Sequence, residues 1–524
     1  MFVKNEMKSY DLMNLALALG VGFLFIAAIL TEFQQEDAYI YFRTAQNLAI
    51  FSDYSYNVGE KYPGATSYLY AFILASNFFI FGDFAIITIQ IMNCSIAIFS
   101  AILLSKLSYG LLGGGETTKQ LSFWIVGTSS PLVVLGTSGM ETSFLLFSLS
   151  AMLFSAFYEK KLLLLFATTL FPLLRIEASV APLLLILIGL VSYNKNWIFC
   201  SLIGLTTGIV LFLYGNFLLS GNIFPQTIAA KNISYEPSRE IIDIIYRIFD
   251  IWFRQNYLLG IPSKFLVQIV PPMFGIISIL ICTILIYSAI GQYKEKTVQQ
   301  QKSSLIVLLI IFLILAFVIG YCIGGVSFSW YYWPSGVLLY LLLSLSLIAY
   351  VNNKYIIKGI IISLAFLSIL NLISLSNTGY KFNNYFAEIG RFINKKSSPK
   401  DTLFLEPAGF IPFYASIHTW DTVGLVSPDI LEYRKQYETD WWIKFIQDKK
   451  PTWIIERQPI HNSGYPDGNL RYKLNKQNQK YFLDSYDLIR HFEYNDMKNS
   501  NKEFFSALYE FGKTSDFYLY KHKY

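Results

Sequence analysis

The chain has 524 residues, of which 54% are hydrophobic and only 15% charged, with a mean hydropathy of +0.44. Soluble domains are nearer one quarter charged, so an ordinary soluble protein is excluded and an α-helical polytopic membrane protein is predicted. The net charge of +6 comes from scattered lysines and arginines rather than one basic stripe, which argues against nucleic acid as a partner.

The first apolar run, Leu12 to Leu30, is too long for a signal-peptide core and reads as a signal anchor. Further spans are predicted near 84–107, 121–135, 144–157, 162–174, 180–191, 197–219, 265–290, 304–320, 334–350 and 355–375, about eleven in all. With that count, Lys4, Lys8, Lys106, Lys119, Lys160, Lys161, Lys195, Lys294, Lys296, Lys302, Lys354 and Lys358 all fall on the side of the N-terminus. Cytoplasmic loops are enriched in lysine and arginine, so the N-terminus is expected in the cytoplasm and the chain in the inner membrane. The opposite side then carries the loop near 31–83, a second near 220–262, and everything after Ser376. Cys94, Cys200, Cys282 and Cys322 lie in apolar stretches without metal spacing and read as inert core residues, and the four histidines are isolated.

Residues 1–376 thus form a transmembrane module and residues 377–524 an extracytoplasmic α/β domain. In the tail, Thr402–Glu406, Trp453–Glu456 and Phe517–Tyr520 read as strands. Tyr385–Asn394 and Asp440–Gln447 carry helical patterns.

The first long loop concentrates the chemistry. Glu36 and Asp37 follow the first span, and Ala38, Tyr41, Phe42, Ala45, Leu48 and Ala49 recur at helical spacing, predicting an amphipathic helix lying in the membrane interface. Asp37 also suits a plain N-cap. Tyr68 to Phe81 is apolar but ends at Gly82-Asp83. Counted as a span it would invert every later loop, so it is expected to lie against the outer leaflet. Ser138-x-x-Glu141 fits a capping box, Arg175 and Glu177 suit a snorkelling pair, and Trp330 to Trp333 an aromatic belt.

The run Glu36-Asp37-Ala38-Tyr39-Ile40-Tyr41-Phe42-Arg43-Thr44-Ala45-Gln46-Asn47-Leu48, followed by Asn57-Val58-Gly59-Glu60, resembles the first-loop signature of GT-C-type glycosyltransferases. The closest pattern is that of the bacterial arabinofuranosyltransferase-like family, with Glu36 where Asp is usual. Thr137–Thr142, Arg175–Ala178, Asn222–Lys231, Trp330–Pro334, and the tail stretches Ala408–Tyr414 and Asp421–Leu425 match in the same order.

The resemblance implies a polyprenyl-phosphate sugar donor and transfer to a glycan or lipid acceptor outside the cytoplasmic membrane. Such transfer needs a carboxylate to take the acceptor's proton, for which Asp37, Glu36 and Glu141 are the candidates. It needs cations on the donor phosphate, for which Arg43, Lys61, Lys231 and Arg175 are the candidates. Tyr41, Glu177, Trp330 and Tyr332 are expected substrate contacts. Carboxylate oxygens suit magnesium, manganese or calcium, so Asp37 and Glu36 are also the candidate ligands of a divalent metal. Two other classes remain: a flippase or transporter of lipid-linked glycan, and a non-catalytic glycan-binding membrane protein.

Overall fold

The computed structural model describes residues 19–113, 115–234, 240–254, 258, 270–295, 297–325, 328–351, 354–460, 474–494 and 516–523. The start of the first predicted span, with Lys4 and Lys8, and also Lys296, lie outside these residues.

Every predicted span is helical where described, apart from a break at Thr128–Ser129 and the turn at Leu30. In chain order the helices are α1 (Leu19–Ile29), α2 (Ala38–Phe51), α3 (Tyr68–Phe81), α4 (Ala85–Leu112), α5 (Glu116–Gly127), α6 (Ser130–Thr137) and α7 (Thr142–Tyr158). There follow α8 (Lys161–Leu174), α9 (Val180–Val191), α10 (Lys195–Ser220), α11 (Gln226–Ser234), α12 (Ile241–Phe253), α13 (Val270–Glu295), α14 (Val298–Ile323), α15 (Ser329–Tyr350) and α16 (Lys354–Lys381). Six helical segments are long and apolar enough to cross a membrane, and four shorter apolar helices pack among them. The chain is a multi-pass membrane protein. Among the described residues, length and composition by themselves support six crossings.

One predicted span, 121–135, is broken. Pro131 in the first turn of α6 supplies no N–H and disfavours helix in the residue before it, so α5 stops and α6 restarts. Helix α16 covers the break: Ser368 Oγ donates to Thr128 O and Asn371 Nδ2 to Ser130 O. Helix α3 has the predicted bounds, and its 14 residues span only about 21 Å at 1.5 Å per residue, less than a bilayer core.

The lysine-rich loops gather at one end of the bundle. Tyr158 Oη donates to Lys106 O at 2.8 Å, and Lys302 Nζ meets Glu159 Oε1 at 2.6 Å. A cavity of about 310 Å³ opens there between the ends of α4, α13, α14 and α15.

The other end carries the tail. Helix α16 runs through Ser376 without interruption and passes by one π-turn, Phe382–Phe386, into α17 (Ala387–Lys396). Five strands follow: β1 (Thr402–Leu405), β2 (His418–Asp421), β3 (Trp453–Glu456), β4 (Tyr486–Phe492) and β5 (Phe517–His522), in the order β2-β1-β3-β5-β4. β1 pairs in parallel with β2 and β3, and β5 is antiparallel to β3 and β4. The helices α18 (Phe410–Ala415), α19 (Pro428–Tyr437), α20 (Trp441–Lys449) and α21 (Lys476–Ser485) complete the domain. Trp441, Trp442, Phe445 and Ile446 of α20 close one face of the sheet against Phe404 and Ile454.

The tail corrects the expected setting of α2. The second face of that helix is not left polar and open, because the tail covers it. Ile40 and Tyr56 form a small core with Ala408 and Val426, and Tyr39 stacks on Phe410 at 3.7 Å between centroids. Nine of the fourteen residues of α2 are consequently buried, Arg43 and Asn47 among them.

Candidate active site

The site is assembled from five chain segments that meet where the bundle adjoins the tail. The first is the turn before α2. Gln35 N–H donates to Ser138 O at 2.8 Å, fastening this turn to the loop between α6 and α7. That loop is held in turn by a buried chain: Ser143 Oγ donates to Asn93 Oδ1 at 3.0 Å, Asn93 Nδ2 to Tyr70 Oη at 2.9 Å, and Tyr70 Oη to Gly139 O at 2.8 Å. Gly139 has φ of 74°, and a Cβ there would press on Phe42 and Ala38, so α2 can approach this closely only because the residue is glycine.

Asp37 stands at the start of α2 but does not cap it. Its carboxyl is left for other work, and its surroundings are charged. Burial pushes its pKa up to about 6; Lys231 and Arg175 pull it down, Glu141 pushes it up, and the Glu36 carboxyl is within hydrogen-bond reach. One anion, two cations and a neighbouring carboxyl therefore act on one carboxylate.

Glu141 is wholly buried and does not form the capping box with Ser138. Its Oε1 accepts from Arg175 Nε at 2.6 Å, and its Oε2 has no partner among the described residues. Arg175, 2% exposed, ends α8 in extended backbone, donates from Nη1 to Glu177 Oε1 at 2.8 Å, and lays its guanidinium 4.2 Å from the Tyr331 ring centre. This is not a snorkelling pair: the arginine points inward. Lys231, on α11, donates to Tyr331 Oη at 3.0 Å, and Thr66 and Thr227 hydroxyls, 3.2 Å apart, tie α11 to the first loop. The ammonium has two further protons with no hydrogen-bond partner among the described residues, whereas the guanidinium is largely committed. Tyr41, buried, accepts from Ser67 N–H at 3.1 Å, and Ser67 Oγ donates to Leu173 O beside Arg175.

Three predicted residues stand elsewhere. Arg43 is a correction: it does not reach the carboxylates. Its guanidinium makes five hydrogen bonds, to Tyr56 O, Pro412 O, Ile417 O, Asn57 Oδ1 and Thr419 Oγ1, and covers the Tyr56 ring at 4.4 Å. It pins the tail to the first loop and has nothing left for a phosphate. Lys61 is exposed on the same loop, away from the buried cluster. Glu36 is turned to the tail: its Oε1 accepts from Gly409 N–H at 2.6 Å and Phe410 N–H at 3.1 Å. Burial, Asp37 and Glu406 raise its pKa well above the carboxylate range, against the lowering effect of the two amides.

The predicted aromatic belt is also corrected. Trp330, Tyr331, Tyr332 and Trp333 are all buried inside the protein. Trp330 stacks on Phe328 at 4.6 Å and Tyr332 packs edgewise on Tyr321 at 5.7 Å, while Tyr331, between the two residues chosen from sequence, meets both cations. Tyr321 stacks on Tyr331 at 4.7 Å and supports it. A one-residue step on a helix turns a side chain by about 100°, so a run of four aromatics does not reveal which one faces the site.

Among the described residues no three His, Cys, Asp or Glu side chains converge to hold a metal. Glu36 Oε1 is engaged by two amides and Glu141 Oε1 by Arg175, so these donors do not fit a metal cage.

Two solved structures share this arrangement of helices and tail. One is ArnT from Cupriavidus metallidurans in the apo state, 11% identical, with a TM-score of 0.52 over 86% of this chain and 93% of that one. The other is the same protein bound to undecaprenyl phosphate, 11% identical, with a TM-score of 0.50 over 85% and 93%. The chain has the fold of ArnT. This ArnT-like likeness supports the fold and not the narrower arabinofuranosyltransferase resemblance drawn from the motifs. Within the ArnT-like architecture, residues 374–518 match DUF8728, a domain of unknown function. No curated protein matches the chain.

Proposed function

We propose that the protein is a glycosyltransferase that moves a sugar from a polyprenyl-phosphate donor to a cell-envelope glycan or lipid acceptor. In this reading the bundle sits in the inner membrane with the N-terminus in the cytoplasm, and the tail and site lie on the outer face. The observation that carries the reading is a buried cluster at one end of the bundle, with Glu141 on Arg175 at 2.6 Å, Arg175 and Lys231 both on Tyr331, and Asp37 under the charge of all three. The gathering of Lys106, Lys119 and Lys302 at the other end supports the orientation.

The acceptor hydroxyl attacks the anomeric carbon, the bond from that carbon to the phosphate oxygen breaks, and polyprenyl phosphate leaves. Asp37 takes the hydroxyl proton. Lys231 meets the phosphate as its charge grows, held in place by Tyr331. Arg175 fixes Glu141, whose unpartnered Oε2 accepts a sugar hydroxyl. The Cupriavidus ArnT bound to undecaprenyl phosphate supports a lipid phosphate of this class as the ligand. Against a transporter, the charges lie at a bundle end rather than at mid-membrane on broken helices.

The test is transfer by purified protein from a panel of polyprenyl-phosphate sugars, with Lys231→Met beside wild type. The variant should need about 10- to 100-fold more donor, the equivalent of a lost charge-assisted contact of about 1.5–3 kcal/mol. Equal donor dependence in the two proteins refutes the phosphate site.

A further inference from the structure

The motif Ala408–Tyr414 lies in the tail, far along the chain from the carboxylate turn, and the mechanism above does not use it. The contacts give it a role. Gly409 and Phe410 N–H both donate to Glu36 Oε1, at 2.6 and 3.1 Å. A Cβ on Gly409 would overlap the Glu36 main-chain oxygen and its Oε1, so only glycine lets the two chains lie this close. Tyr56 Oη donates to Ala408 O at 2.6 Å, and Phe410 stacks on Tyr39, three residues after Glu36. On the other flank Gln35 N–H is held by Ser138 O. The turn that presents Asp37 is thereby gripped from the bundle through Gln35 and from the tail through Glu36.

Building on the transferase reading, we propose that the tail domain completes the active site, with Gly409 a positioning residue that holds Glu36 and, through it, aims the Asp37 carboxylate. The domain is then part of the catalytic machinery and not a separate glycan-binding module. Glu36 is engaged at Oε1 by amides and acts on Asp37 from its remaining edge. Arg43, with acceptors at Pro412 within α18 and Ile417 just after it, keeps the Gly409 turn seated. Grip from both sides matters because a displacement of about 1 Å in a reacting group costs up to about 10²-fold in rate.

The experiment compares wild type with Gly409→Ala, which pushes on Glu36 from the tail, and Glu36→Ala, which empties the grip without altering the tail. Two readouts are taken on full-length protein in detergent. Carbodiimide labelling of Glu36 and Asp37, followed by mass spectrometry, reports the grip without reference to turnover. The expected result is low labelling of Glu36 in wild type and several-fold faster labelling of Glu36 in Gly409→Ala and of Asp37 in both variants. Steady-state transfer is then expected to show kcat lower by about 10- to 100-fold in both variants with the donor KM within about twofold of wild type.

Unchanged labelling in Gly409→Ala overturns the proposal. So does faster labelling with kcat unchanged, since the grip would then position nothing. If Gly409→Ala does not fold, Glu36→Ala decides alone, and wild-type labelling and kcat in that variant refute the proposal. Absence of transfer by wild type from every donor overturns the transferase reading and, with it, the catalytic half of this one, while the labelling still decides whether the tail holds the turn.

Discussion

Replacing Arg175 by Met should be among the most damaging single changes in the chain, and the structure sets its size. Arg175 is 2% exposed, and its contacts with Glu177, Tyr331 and Glu141 decide the cost. The contact with Glu177 is worth little, because that carboxylate is 41% exposed and solvent can replace the arginine. The stacking on Tyr331 contributes about 1–2 kcal/mol. The decisive neighbour is Glu141, wholly buried, with one oxygen on Arg175 at 2.6 Å and the other unpartnered. Methionine fills the volume but leaves a buried carboxylate without a counter-charge, which costs about 3–5 kcal/mol. At about 1.4 kcal/mol per tenfold, the unfolding equilibrium should shift by a factor of about 10² to 10³. Unfolding in mixed detergent and SDS micelles, followed by tryptophan fluorescence, measures it. The paired variant Arg175→Met with Glu141→Met should regain most of the loss, since it buries no orphan charge. An Arg175→Met protein that unfolds at the wild-type SDS fraction would show that Glu141 is reached by water, and the charge balance of the site would have to be redrawn.

Asp37→Asn should leave expression and folding intact and lower transfer by about 10²- to 10⁴-fold, as loss of a general base does; full activity in a folded variant sinks the mechanism. In wild type, the Asp37 carboxyl has its pKa raised from 3.8 to about 6, so it takes up a proton as pH falls through 6 and kcat should fall with it. A rate unchanged between pH 7 and 5 would assign the base elsewhere. Arg43→Ala removes five hydrogen bonds at the junction of tail and first loop, each acceptor keeping another hydrogen-bond partner, and should weaken docking by about 1.5–3 kcal/mol without raising the donor concentration needed for half-maximal rate. Faster proteolysis between bundle and tail reads that out, and a wild-type cleavage rate would refute the strut.

Much of the architecture was legible in the sequence because it follows from local pattern. Runs of apolar residues must be helical in a bilayer, where no water satisfies the backbone, so the predicted spans are helices where described, apart from the break at Thr128–Ser129 and the turn at Leu30. In the tail the three predicted strands are β1, β3 and β5, the central strands of the sheet, whose burial demands apolar side chains. The two strands missed, β2 and β4, are its edges. His418-Thr419-Trp420-Asp421 is polar because an edge is half solvated, and β4 exposes Asp487 to Arg490, so neither carries an apolar signal.

The residues of the site were likewise legible as types but not as roles. Local sequence marks Glu36, Asp37, Arg43, Glu141, Arg175 and Lys231 as costly polar groups in an apolar chain, and each is engaged. Which group each one meets depends on contacts across long stretches of chain. Arg43 turns to Pro412 and Ile417, Glu36 to Gly409, and Arg175 to Glu141 and Tyr331. The sequence by itself determined that charges would sit at a bundle end and be paired, since burying them alone is prohibitive. Only the tertiary structure decided the pairing, because a carboxylate is satisfied equally well by an arginine from the next helix or by amides nearly four hundred residues away, and nothing in the local chain distinguishes the two.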